Sequence, residues 1–104
     1  MISGAVSLME LNGHPVLRLS GAVDTFVVKE LYEAARTLLD RGEDTVVRWE
    51  TAESVDVSTL QVLLALQTGL QAKGQTLQLG PCTLSVQHLL AVSGLSEALR
   101  ATTV

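Results

Sequence analysis

The chain has 104 residues, 47% of them hydrophobic, a length and composition that suit one domain, residues 1–104, with a core that needs no disulfide or metal staple. A formal net charge of -4, from 7 Lys and Arg against 11 Asp and Glu, excludes a general binder of nucleic acid or of anionic membranes. Both of those partners require a basic surface to displace counterions. The one cysteine, Cys82, rules out an internal disulfide or a CxxC site, and its place after Pro81 predicts a small packed thiol in a connection.

In chain order the pattern reads strand, strand, helix, strand, helix, strand, helix. Val6 and Leu8 predict a first strand, Asn12-Gly13 a turn, and Val16 to Ser20 a second strand, with so short a link implying an antiparallel hairpin. Phe26 to Arg41 then reads as a helix whose Val28, Leu31, Ala35 and Leu38 share one face. Asp24 or Thr25 is placed to cap its start, and Gly42 to end it in a left-handed conformation. Val46-Val47-Arg48-Trp49 alternates as a half-buried strand. Beyond it lies Ser54-Val55-Asp56-Val57-Ser58-Thr59-Leu60, a carboxylate and two hydroxyls between that strand and an apolar helix carrying Leu60, Leu63, Leu64 and Leu70. Ser58 is expected at the helix N-terminus, capping backbone N–H groups where the dipole favours added negative charge.

Leu77-Gln78-Leu79 supplies a fourth strand, and a last helix follows the Gly80-Pro81 punctuation. Since helices separate the later strands, their pairing is expected to be parallel, with right-handed crossovers. Leu17-Arg18-Leu19, Val47-Arg48-Trp49 and Leu77-Gln78-Leu79 all alternate, whereas strands covered on both faces read as continuous Val, Ile and Leu. The expected fold is therefore α/β, a mixed sheet of about four strands with helices mainly on one face and Arg18, Arg48 and Gln78 on the other. No apolar run approaches the roughly 18 residues of a spanning helix, and Met1-Ile2-Ser3-Gly4 lacks a basic start, so a soluble cytoplasmic protein without direct membrane insertion is the default.

Catalytic and cofactor chemistry find little support. His14 and His88 have no carboxylate or second ligand at metal spacing and read as surface or edge residues. Glu50, Glu53 and Asp56 gather near the loop without the spacing or glycine of a calcium loop, and a solvated acidic loop accounts for them. Gly80-Pro81-Cys82 lacks the Gly-Lys-Ser/Thr ending of a phosphate loop. The expectation is a protein with no enzyme activity, no cofactor and no metal.

Taken together, Leu19-Ser20-Gly21-Ala22-Val23-Asp24, Val46-Val47, Ser54 to Leu60, Lys73-Gly74-Gln75-Thr76-Leu77 and Leu89-Leu90-Ala91-Val92-Ser93-Gly94-Leu95 resemble the STAS domain, the family that includes the bacterial anti-sigma factor antagonists. The likeness runs from about Val16 to Leu99 and rests on the order and spacing of individually weak motifs. It implies a non-enzymatic interaction module that binds a kinase-like anti-sigma factor or another signalling protein, in chemotaxis-like or transcriptional regulation, and is released when a loop hydroxyl is phosphorylated. A second implied role is an accessory subunit that binds the ATPase of a lipid transporter.

Against the family's Asp-Ser-Ser/Thr-Gly loop, Asp56 matches the acid, Val57 falls on the phosphorylated residue, Ser58 on the second hydroxyl and Thr59 on the glycine. Val57 has no oxygen to phosphorylate, which leaves Ser58 as the fallback acceptor and implies a constitutive binder. Arg48 stands where the family often has Asp or Asn. Asp24 matches a family acid close to the switch loop, and capping of the Phe26 helix remains an equal account of it. The partner surface implied by the resemblance is Asp24, Asp56, Val57, Ser58, Thr59 and Gln61, extending towards Thr68 along the solvent side of the helix.

Overall fold

A computed structural model describes residues 4–99. Its elements are β1 (Val6–Leu11), β2 (His14–Val23), α1 (Val28–Arg41), β3 (Thr45–Val55), α2 (Val57–Ala72), β4 (Leu77–Cys82) and α3 (Leu84–Ser93). The four strands form one mixed sheet in the order β1-β2-β3-β4. β1 and β2 pair antiparallel across a two-residue turn in which Asn12 and Gly13 both take positive φ, 54° and 81°, the conformation that matches the twist of a tight hairpin. β3 pairs parallel with both β2 and β4, as helical connections require.

The alternation of the strands decides where the core lies. Leu17, Leu19, Val47, Trp49 and Leu79 are buried, while Arg18, Arg48 and Gln78 between them are exposed on the opposite face. The buried side chains join Leu31, Ala34, Ala35 and Leu38 of α1, Leu60, Leu63, Leu66 and Leu70 of α2, and Val86 and Leu90 of α3 in one cluster. α1 and α2 lie against each other, and Gly69 permits their close approach: a Cβ there would stand 2.6 Å from Leu39 Cδ1. Among the described residues no helix is long and apolar enough to cross a membrane.

Several boundaries differ from the sequence expectation. α1 begins at Val28, not Phe26, because a turn intervenes: Val27 N–H donates to Asp24 O (3.1 Å) and Val28 N–H to Thr25 O (3.4 Å). The helix cap is Val27, without a side-chain cap bond, so neither Asp24 nor Thr25 caps α1. Val28 is half-buried while Ala34 joins Leu31, Ala35 and Leu38 in the core, and Gly42 ends the helix at φ 62° as expected. β2 and β3 run to 10 and 11 residues, longer than the apolar alternation alone indicates. Register shifts between Arg18 and Ser20 and between Gly21 and Ala22 break that alternation while the ladder continues.

Gly80-Pro81-Cys82 is not a connection but the end of β4. β4 is an edge strand, and its register to β3 shifts between Leu79 and Cys82, the kind of place where proline is tolerated in a sheet. The Gly80 carbonyl instead accepts from Trp49 Nε1 (2.8 Å). Cys82 is a packed thiol, paired in register with Trp49, and burial pushes its pKa up. Thr83 caps α3, its Oγ1 accepting from Val86 N–H at 3.4 Å and donating to Ala52 O at 3.2 Å. Gly94 closes α3 in the left-handed region, and Leu95 N–H reaches back to Leu90 O (3.0 Å), so the Leu89–Leu95 segment is a helix end with its C-cap.

Candidate functional site

The segment between β3 and α2 contains one residue. Ser54 and Val55 complete the strand, Asp56 links, and Val57 is already helical. The strand-to-helix junction is therefore much tighter than the loop read from the sequence, and Glu50 and Glu53 belong to β3, not to an acidic loop. A single carbonyl fastens it. Val23 O, at the end of β2, accepts from Asp56 N–H (3.0 Å) and from the buried Thr59 Oγ1 (3.1 Å). That pairing brings the end of β2, and Asp24 with it, beside the start of α2. Asp24 and Asp56, 32 positions apart in the chain, thus share one end of the sheet.

Asp56 takes the N-cap position with extended backbone (φ -93°, ψ 159°), and its side chain makes no cap bond. Its carbonyl begins the helix, accepting from Thr59 N–H (3.0 Å) and Leu60 N–H (3.3 Å). Its carboxylate is left to whatever approaches α2. Asp24 is engaged locally: Oδ1 accepts from Phe26 N–H (3.0 Å), fixing the turn that precedes α1.

Of the three hydroxyl-position residues, Val57 is the outward one, 39% exposed at the first position of α2. Ser58 does not cap the helix. It is the second helical residue, and its Oγ is buried with no hydrogen-bond partner. Thr59 is fully buried and its hydroxyl is committed to Val23 O. The expected capping role of Ser58 fails because a residue inside the first turn points its side chain back along the helix rather than over its open N–H groups. Gln61 is exposed one turn beyond Val57, and Thr68, further along the same helix, is exposed with its Oγ1 donating to Leu64 O (3.0 Å).

Ser58 and Gln61 border a groove of about 530 Å³ between α1 and α2, whose walls include Val28, Tyr32, Leu39 and Val62. One exposed residue of this end escaped the sequence reading. Phe26 is 89% exposed, held in the turn by Asp24 rather than packed as the first residue of α1. The signal that points to it is Asp24 two residues earlier, an Asx turn that competes with helix initiation.

Replacing Thr59 with Val keeps the volume and removes the tie to Val23 O. The expected loss is about 1 kcal/mol, the usual net worth of a hydrogen bond. It is to be read as a lower urea midpoint at unchanged slope.

The four-stranded mixed sheet with its three helices has the fold of solved anti-sigma factor antagonists. It superposes on the unphosphorylated form of the anti-sigma factor antagonist SpoIIAA with a TM-score of 0.79 at 22% identity, covering 95% of this chain and 89% of that one. The phosphorylated form of SpoIIAA, a Bacillus cell fate determinant, gives 0.73 at 22% identity, with coverage of 95% and 92%. A Thermotoga maritima protein, tm1081, assigned to the anti-sigma factor antagonists, gives 0.77 at 14% identity, with coverage of 88% and 80%. The family model described as "Mlab, STAS domain" matches residues 7–101, and the chain belongs to that family. Comparison with curated proteins returns no match.

Proposed function

We propose that this chain is a non-enzymatic protein-interaction module of the anti-sigma factor antagonist type, acting in bacterial signalling or transcription regulation in the cytoplasm, and that it holds its partner constitutively. The partner surface is the end of the sheet where Asp24, Asp56, Val57 and Gln61 gather, with Phe26 as an added apolar anchor. A large exposed aromatic is the kind of residue that concentrates binding energy when a partner covers it. The partner in this reading is a kinase-like anti-sigma factor or another signalling protein.

The observation that carries the constitutive reading is the exposed Val57 side chain at the first position of α2, followed by two hydroxyls that both face inward. A kinase transfers phosphate to a hydroxyl it can reach. Here the reachable side chain has no oxygen, Thr59 is occupied by Val23 O, and Ser58 Oγ is enclosed. The same feature favours one further reading, the accessory subunit of a lipid-transporter ATPase, because a permanent subunit needs no phosphorylation to release it.

The test is tagged purification from the native host with identification of what accompanies the chain. Val57→Asp places a charge where the apolar side chain meets the partner and is expected to lower recovery of the partner at unchanged folding. Recovery equal to that of the parent would move the interface elsewhere. A kinase-like protein in the eluate supports the signalling reading and a transporter ATPase the subunit reading.

A further inference from the structure

The face of the sheet that the helices leave open carries a charge arrangement that the partner surface at the junction does not use. Arg18 of β2 and Arg48 of β3 are partners in the parallel register, and both are exposed between buried neighbours, so their side chains leave the sheet side by side. Adjacent strands lie only about 4.8 Å apart. Like charges directly opposite one another on a sheet are destabilising unless something offsets them. Among the described residues no carboxylate does: the ion pairs join Arg41 to Glu10 and Glu43, and Glu50 makes none with either arginine although it lies two positions beyond Arg48. In a chain with a net charge of -4, two uncompensated guanidiniums in register are an unusual use of its few cations.

Their surroundings are not those of a simple solvated face. Val16, one step along β2 from Arg18 on the same side, is only 3% exposed, and with Val46 it floors an open depression of about 370 Å³. Leu11, His14, Arg48 and Gln78 stand around it, and Arg18 lies just outside it. Asp44 also lines it, but its Oδ1 is engaged by Thr76 N–H (2.9 Å) and Thr76 Oγ1 (3.3 Å). On the neighbouring β1, Met9 and Leu11 are 45% and 51% exposed, opposite Val16 and His14.

We infer that Arg18 and Arg48 form an oxyanion clamp on the open face of the sheet, taking one carboxylate or phosphate group between two guanidinium forks. Planar guanidiniums match the geometry of both groups and bind them through paired N–H donors. An anion there converts a repulsive pair into two charge-assisted contacts. The site is separate from the Asp24 and Asp56 end of the molecule, where both side chains are acidic.

The test follows the arginine Nε–H resonances of the full chain by NMR in three titrations. These use inorganic phosphate, an acetylated tetraglutamate peptide, and sodium chloride at matched ionic strength. Arg36, exposed on α1 and without a neighbouring arginine in register, is the internal control. Arg18 and Arg48 are expected to shift together, saturably and with a common midpoint, in phosphate or in the peptide, while Arg36 follows the chloride titration. Arg48→Gln is expected to abolish the response of Arg18, and Arg48→Lys, which keeps the charge but not the fork, to weaken it. A stronger response to phosphate identifies a free or ligand-borne phosphate as the natural occupant, and a stronger response to the peptide an acidic protein segment. Shifts at Arg18 and Arg48 no larger than those of Arg36, or a response of Arg18 that survives Arg48→Gln, would overturn the clamp.

Discussion

Trp49→Ala is expected to cost about 3–5 kcal/mol, the range for deleting a large aromatic from a core. Trp49 heads the fully buried side chains, sits in the central strand β3, and is the chain's one tryptophan. Its removal leaves a cavity in the core cluster and also strips Gly80 O of its indole donor at 2.8 Å. The two contributions separate in Trp49→Phe, which keeps most of the volume and loses the hydrogen bond. That variant is expected to lose about 1 kcal/mol, the usual net worth of a hydrogen bond, because Gly80 is only half-buried. Since small domains are stable by only about 5–15 kcal/mol, the alanine variant stands near the limit of folding. Equilibrium urea unfolding followed by far-ultraviolet circular dichroism measures both. A loss under about 0.5 kcal/mol for Trp49→Ala would place the indole at the surface and contradict the burial of β3.

Leu63→Ala is the second large effect, with about 2–5 kcal/mol expected from the lost transfer energy and the residual cavity. Leu63 is fully buried on the sheet side of α2, two residues past the exposed Gln61. The neighbour Leu64 is half-buried, and its replacement by Ala is a matched control expected to cost less. Equal losses at the two positions would mean that α2 is rotated relative to the sheet. Such a rotation would also turn Val57 and Ser58 away from their present directions, so the measurement bears on the site as well as on the core.

These expectations rest on features that differ in how plainly the sequence displays them. The sheet and its covered face were legible because Leu17-Arg18-Leu19, Val47-Arg48-Trp49 and Leu77-Gln78-Leu79 each alternate, and period-two alternation has one physical meaning in a half-buried strand. The hairpin was legible in Asn12-Gly13 and the end of α1 in Gly42, since few residues accept positive φ. The start of α1 was not. Phe26 and Val27 continue an apolar run into the helix, and the turn fixed by the bond from Phe26 N–H to Asp24 Oδ1 delays its start to Val28. Gly80-Pro81 misled in the opposite direction, because its reading as a connection assumes an interior strand, and β4 is an edge.

At the site, Asp56 and Val57 stand at the head of α2, while the capping role expected of Ser58 fails for a local reason. Whether a serine caps depends on whether it is the last non-helical residue or lies within the first turn. Here a single-residue junction gives the cap position to Asp56. The length of that junction is set by Val23 O, which holds Asp56 N–H and Thr59 Oγ1 from 33 and 36 positions away. Such a long-range tie leaves no local mark in the sequence.

The central claim is that this junction holds a partner without a phosphorylation switch. The direct measurement is intact and peptide-level mass spectrometry of the chain isolated with its bound partner from the native host in exponential growth and in stationary phase. The account predicts an unmodified peptide spanning Ser54 to Leu60 in both states, with the partner retained. Stoichiometric phosphate on Ser58 or Thr59, accompanied by loss of the partner, would contradict it.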